Sequence, residues 1–257
     1  MRVGLFIPCY INQLYPQVGK ATLELLEKLN VDVVYPSGQT CCGQPMANSG
    51  YEYESEGACN NFVNNFKDFD YIVTPSGSCA YHVKKHYNII PQTEAVTKVR
   101  NNVYELCDFI LNVLKVKNVG ASFPYKVGVH KSCHGLRGLR LGSCSEVVGD
   151  SFSYIETLLQ EVKGTELMPV KRSDECCGFG GTFAVTEEAI SEEAALASLN
   201  AFTFPSRDTQ LSKAWLDGGL QSYLKEVADF FVAQGTLKKA LASYDDAVNI
   251  SYLKAAK

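Results

Sequence analysis

Apolar residues in this chain fall in short runs that each stop at a proline or glycine, and these runs alternate with longer stretches of helical period. Val3 to Ile7 is a continuous apolar run ended by Pro8, the pattern of a strand buried on both faces. Pro16 then suits the first turn of a helix carrying Val18, Ala21, Leu25 and Leu29 at spacings of three and four, with Asn30 at its end. Val31 to Tyr35 reads as the next strand, stopped by Pro36. An amphipathic helix follows over Tyr51 to Phe66, and the strand Tyr71 to Thr74 closes on Pro75. A long helical segment from Glu94 to Val116 leads to Gly120 and Pro124, where the pattern restarts: Tyr125 to Cys133 parallels the opening strand and its cysteine. Phe152 to Val162 reads as a helix and Glu166 to Val170 as a short strand. From Phe202 to Lys257 the chain is rich in helical pattern, with Leu216, Leu220, Tyr223, Leu224, Val227, Phe230 and Phe231 on one face and a break at Gly235.

These elements predict an α/β protein of parallel βαβ units in two pseudo-repeated lobes, residues 1–120 and 121–201, followed by a helical tail over 202–257. The repeat spans far more residues than solenoid arrays use. With 257 residues, 46% of them apolar, the chain has enough material for a sizeable core without disulfide staples. A net charge of -4 and the absence of a Lys/Arg cluster leave no basic field for a nucleic-acid backbone. The N-terminal run is too short, and lacks a cleavage site, to read as a secretory signal, and no stretch has the length needed to cross a bilayer. A cytoplasmic setting is expected. There, the 10 cysteines point to metal or redox chemistry more than to disulfides.

Thr40-Cys41-Cys42-Gly43 recurs as Glu175-Cys176-Cys177-Gly178, and a lone cysteine, Cys9 or Cys133, directly follows the apolar run that opens each lobe. Cys9, Cys41, Cys42 and Cys79 all fall at the expected carboxyl ends of strands, where a parallel sheet gathers them along one edge. Several thiolates converging from separate loops suit an iron–sulfur cluster, with glycine letting backbone N–H groups approach the sulfides. Four thiolates also satisfy tetrahedral zinc, although the Cys-x-x-Cys knuckles usual in structural zinc sites are missing. Buried inert thiols are the plain alternative.

With Pro75-Ser76-Gly77-Ser78-Cys79, Cys133-His134-Gly135 and Cys176-Cys177-Gly178-Phe179-Gly180-Gly181 added, the pattern resembles the duplicated cysteine-rich, or CCG, domain. That domain occurs in heterodisulfide reductase B subunits, in iron–sulfur subunits of glycolate and anaerobic glycerol-3-phosphate dehydrogenases, and in the lactate-utilisation A group, which the chain resembles most. The resemblance covers residues 1 to about 190. It implies an iron–sulfur electron-transfer subunit, with a [4Fe–4S] cluster or a non-cubane relative, in a complex that oxidises L-lactate or a related 2-hydroxy acid. It also implies iron–sulfur and other partner subunits, with no catalysis by the chain alone. A thiol–disulfide reductase subunit of the heterodisulfide type, or a zinc-bearing interaction module, is the alternative. Cluster ligands on this reading are Cys9, Cys41, Cys42 and Cys79 in the first lobe and Cys133, Cys176 and Cys177 in the second. Two departures stand out: Ser76 occupies the leading cysteine position of the first half, and no cysteine follows Cys177, so a fourth second-lobe ligand falls to Cys144, His134, a partner or a small molecule.

Among the other candidates, His82 and His86 stand four apart on a helix, a metal-binding spacing that more often serves a solvated or capping role. Cys59 and Cys107 fall in helical patterns and read as core thiols. Phe179-Gly180-Gly181 lacks the Lys-Ser/Thr of a phosphate loop. Arg137 and Arg140, close to Cys133, face either an acidic substrate or partner, or solvent.

Overall fold

In the computed structural model, residues 1–181, 183–190, 192, 195, 208, 211–212, 218–233 and 239–245 are described. The chain divides into two compact units, Met1–Phe202 and Thr203–Lys257.

The first unit opens with strand β1 (Arg2–Leu5), short helix α1 (Cys9–Leu14), helix α2 (Pro16–Lys28) and strand β2 (Asp32–Val34). Helices α3 (Gln44–Asn48) and α4 (Glu56–Phe66), strand β3 (Tyr71–Thr74) and helix α5 (Gly77–His86) follow. Helix α6 (Glu94–Asn102) runs directly into a fourth strand, β4 (Val103–Glu105). The four strands form one parallel sheet of order β2-β1-β3-β4, with Val3 opposite both Val33 and Tyr71, and Val73 opposite Tyr104. Chain direction across the sheet reverses between β1 and β3, so the crevice at that switch lies outside the carboxyl ends of the strands.

Alternation along the strands explains the unbroken apolar runs. Val3, Leu5, Ile7 and Val73 pack with Leu26 and Phe109 on one face of the sheet. Phe6 and Ile72 pack with Phe62, Phe66, Val83 and Tyr87 on the other. Both faces are covered by helices, so a polar residue has no favourable place at either parity. Phe6 lies edge-on to Phe62 and Phe66, with centroids at 4.8 and 5.8 Å, and this aromatic group forms the heart of the lobe.

The single long helix expected over Glu94 to Val116 is interrupted. Val103–Glu105 pair with Ile72–Thr74 as β4, and the chain then resumes as α7 (Leu106–Asp108) and a π-helical turn, Phe109–Val113. Pairing with an already buried strand outweighs the helical preference of three residues.

The second lobe is slighter. Strands β5 (Lys126–Gly128) and β6 (Glu166–Met168) pair in parallel, Val127 opposite Leu167. They are shorter than the runs expected over Tyr125 to Cys133 and Glu166 to Val170. Between them lie a π-helical turn, His134–Gly138, and helix α8 (Tyr154–Leu159), with α9 (Phe183–Thr186) beyond. The lobes meet where α5 begins: a Cβ added to Gly77 would stand 3.1 Å from the Gly135 Cα, so backbone touches backbone there.

In the second unit, helix α10 (Gly219–Ala233) carries Tyr223, Leu224 and Val227 half-buried, Ala228 buried and Leu220 exposed. Leu216, Gly235 and the side chains of Phe230 and Phe231, expected on the same face or at its end, lie outside the described residues.

Candidate metal centre

Each first-lobe thiol is placed by the end of a strand. Cys9 follows β1 and starts α1, Cys41 and Cys42 follow β2, and Cys79 sits in the first turn of α5, after β3. The sulfurs of Cys9 and Cys41 are 3.6 Å apart. The Cys42 thiol touches both Cys41 and Cys79, so the four form one continuous sulfur group. Burial increases inward, from exposed Cys9 through half-buried Cys41 to buried Cys42 and Cys79.

Protons divide unevenly within this group. The Cys42 S–H, the N–H of Gly43 at 3.4 Å and the Cys9 S–H together hold the Cys41 thiol down at about 5, against the opposing effect of burial. Burial and the neighbouring Cys41 push Cys9 up to about 11. Cys42 is raised by donating to Cys41 and Cys79, and Cys79 is lowered by that same S–H and by the Ser76 hydroxyl. The lowered Cys41 and Cys79 thiols favour thiolate, the form that ligates soft metals.

The second double cysteine repeats this geometry. Gly178 N–H donates to the Cys176 sulfur at 3.4 Å, as Gly43 N–H does to Cys41, and both glycines have positive φ, 92° and 79°. A side chain at either position would force the left-handed backbone that L-residues avoid. Burial, its hydrogen bond to Cys176 and the nearby charges of Cys176 and Cys177 raise the Cys133 thiol. The three second-lobe cysteines thus converge as well. Among the described residues, no three His, Cys, Asp or Glu side chains are already spaced about a metal ion. The thiols rest against one another.

The remaining candidates sort by what they touch. Cys144 is buried beside the Arg140 guanidinium at 3.9 Å and bonds Glu146. The His134 ring packs on Tyr81 at 5.1 Å. Arg137 donates to Glu146 at 3.0 Å and to the Asp174 carbonyl at 3.0 Å, tying the turn after Cys133 to the loop before Cys176. Its role is that clamp. Cys59 lies in the core, as expected, whereas Cys107 is half-buried and lines a cavity. His82 is not solvated: it is 2% exposed and stacks on His86 at 5.2 Å.

Two supporting residues, Ser76 and Tyr87, hold the sulfur group in ways that the sequence reading did not assign. Ser76 accepts the Cys79 N–H and so caps α5 beside the sulfur group; the hydroxyl stands where the family places a cysteine, and a Ser before a helix is the signal that it caps. Tyr87, 0% exposed, donates its O–H to the Cys42 carbonyl at 3.0 Å. No local pattern announces that bond, because it joins residues brought together only by the fold.

The family model described as "Cysteine-rich domain" (CCG) matches the chain twice, over residues 3–84 and 127–207. The chain belongs to the cysteine-rich CCG family. Both double-cysteine turns, with their equal N–H to sulfur distances, fall inside the CCG matches. Among curated CCG relatives, "Lactate utilization protein A" of Geobacillus kaustophilus is 45% identical over 197 residues, 75% of this chain and 78% of that protein. The proteins of the same name in Geobacillus thermodenitrificans and Bacillus subtilis are 44% and 40% identical, covering 75% of this chain and 78% and 79% of their own lengths. Among the described residues, no helix is long and apolar enough to cross a membrane.

Proposed function

We propose that this protein is an iron–sulfur electron-transfer subunit of a cytoplasmic complex that oxidises L-lactate, or a related 2-hydroxy acid, to the 2-oxo acid. The observation that carries the reading is the duplicated sulfur cradle, in which an equivalent glycine N–H meets an equivalent sulfur at 3.4 Å in both lobes. Repeated N–H donation to sulfur suits a centre that must hold extra negative charge when reduced. The name shared by the relatives supplies the lactate context.

Cys9, Cys41, Cys42 and Cys79 would hold the first cluster, [4Fe–4S] or a non-cubane relative, and Cys133, Cys176 and Cys177 the second. Such a cluster supplies one-electron acceptance and release. The chain's own part is to favour thiolate at Cys41, to hold Cys79 by the Ser76 cap, and to seat Cys42 through Tyr87. No Gly-x-Gly-x-x-Gly follows a strand, so hydride chemistry falls to partner subunits, themselves carrying iron–sulfur or other cofactors.

The test is lactate-dependent reduction of an artificial dye, run without air. Reduction is expected only when partner subunits are added, and it is lost in Cys41→Ala and Cys42→Ala. Turnover by the chain alone would overturn the carrier reading.

A second reading, a tetrahedral zinc site, is favoured by the 3.6 Å sulfur spacing of Cys9 and Cys41. Two thiolates on one zinc at roughly 2.3 Å each stand at about that separation. Inorganic sulfide in the purified protein separates the two readings.

A further inference from the structure

A cavity of about 370 Å³ opens between the lobes, at the carboxyl ends of β3 and β4. One wall is Ser76, Gly77 and Ser78, which lead to Cys79; the facing wall is Lys131, Ser132 and Gly135 from the second lobe. The volume is that of a small-molecule site, and the location is the carboxyl edge of the parallel sheet, next to the β1–β3 crevice.

Several of its polar groups offer hydrogen. The oxygens of Ser76, Ser132 and Ser153 accept backbone N–H groups, from Cys79 at 3.3 Å, Gly135 at 3.2 Å and Glu156 at 3.4 Å. A hydroxyl whose oxygen already accepts still has its O–H to donate, as at Ser132 and Ser153, whereas Ser76 is engaged with Cys79 and Ser78. Lys131 brings a cation with a side chain only 11% exposed. Its carboxylate partner, Glu156, stands at 3.4 Å, beyond the roughly 2.7–2.9 Å of a tight charge-assisted bond, and the ammonium has further donors. Glu105 is the carboxylate in the lining, and it is turned to the chain: it accepts the N–H groups of Cys107 at 2.8 Å and Asp108 at 3.2 Å. Leu136, Leu141 and Ile155 supply an apolar side.

Resting on the lactate reading for the identity of its ligand, we propose that this cavity binds a small aliphatic 2-hydroxy or 2-oxo monocarboxylate, its carboxylate on Lys131 and the seryl hydroxyls and its alkyl end on the leucines. The ligand then lies within one helical turn of Cys79, and the lobe contact at Gly77 and Gly135 forms part of its enclosure.

Equilibrium dialysis of the full chain, purified without air, against radiolabelled pyruvate and L-lactate tests this, with L-lactamide as the uncharged isostere. Saturable binding is expected, with lactamide at least tenfold weaker. Lys131→Met weakens pyruvate binding about tenfold, the loss of one charge-assisted contact, whereas Glu156→Gln tightens it several-fold by freeing the lysine. Leu141→Trp, which fills the cavity and leaves Lys131 in place, abolishes binding. Absence of saturable binding, equal affinity for lactate and lactamide, or unchanged affinity in Lys131→Met overturns the proposal. Dye reduction with partner subunits is measured in parallel. Lactate-dependent reduction without carboxylate binding retires the cavity and keeps the lactate reading; carboxylate binding without lactate-dependent reduction does the reverse.

Discussion

His82 is a titratable side chain sealed inside the first lobe, 2% exposed, with its Nε2 lacking a hydrogen-bond partner among the described residues. Burial, reinforced by the charges of His86 and His134, lowers its pKa from the ordinary 6.5 to about 4. The neutral ring is the folded form, so the direction of the pH effect follows. Above pH 6.5 the residue is neutral folded or unfolded and costs nothing. As pH falls from about 6.5 toward 4, the unfolded chain takes up a proton that the folded one refuses, and stability drops. His82→Gln is expected to flatten the denaturant midpoint across that window, and an imidazole resonance titrating near 4 would confirm the assignment; a resonance titrating near 6.5 would refute it. The sequence placed His82 on a helix four residues before His86 but said nothing of its depth. Depth depends on which helix face meets Tyr87 and the aromatic group, a matter of tertiary packing.

The elements legible in the sequence are those whose pattern is enforced on both faces. β1 and β3 read clearly because Val3, Leu5 and Val73 serve one layer while Phe6 and Ile72 serve the other. β4 was hidden because Val103-Tyr104-Glu105 continue an amphipathic helical period, and only the exposed edge of β3 turns them into strand. That hidden strand matters to the chemistry, since it delivers Glu105 and Cys107 to the carboxyl edge. The cysteine loops were legible for the opposite reason: paired thiols and glycine at a strand end have no packing purpose that other residues would not serve better. Their support was not. Tyr87→Phe removes a buried donor and leaves the Cys42 carbonyl unpaired, at an expected cost of about 1–3 kcal/mol. The denaturant midpoint should fall and the iron content with it. A midpoint equal to that of the unmodified protein would show that the bond does not hold the loop.

Across the whole molecule, two lobes of one pattern present their double cysteines on the same kind of glycine turn. They do so unequally among the described residues: the first lobe builds a four-stranded sheet and four touching thiols, the second a two-stranded sheet and three converging cysteines. The first site is accordingly the one expected to retain its metal when the protein is diluted or exposed to chelator, with the second losing its share first. The duplication itself was readable from residue spacing. The inequality was not, because the lengths of β5 and β6 depend on pairing partners that the spacing leaves open.

The central claim is that the first-lobe thiols hold an iron–sulfur cluster, and the most direct measurement is iron, zinc and acid-labile sulfide per chain in protein purified without air. Iron and sulfide in comparable amounts are predicted, with most of both lost in Cys41→Ala and in Cys42→Ala. Zinc without sulfide, or iron and sulfide unchanged in both variants, would contradict it.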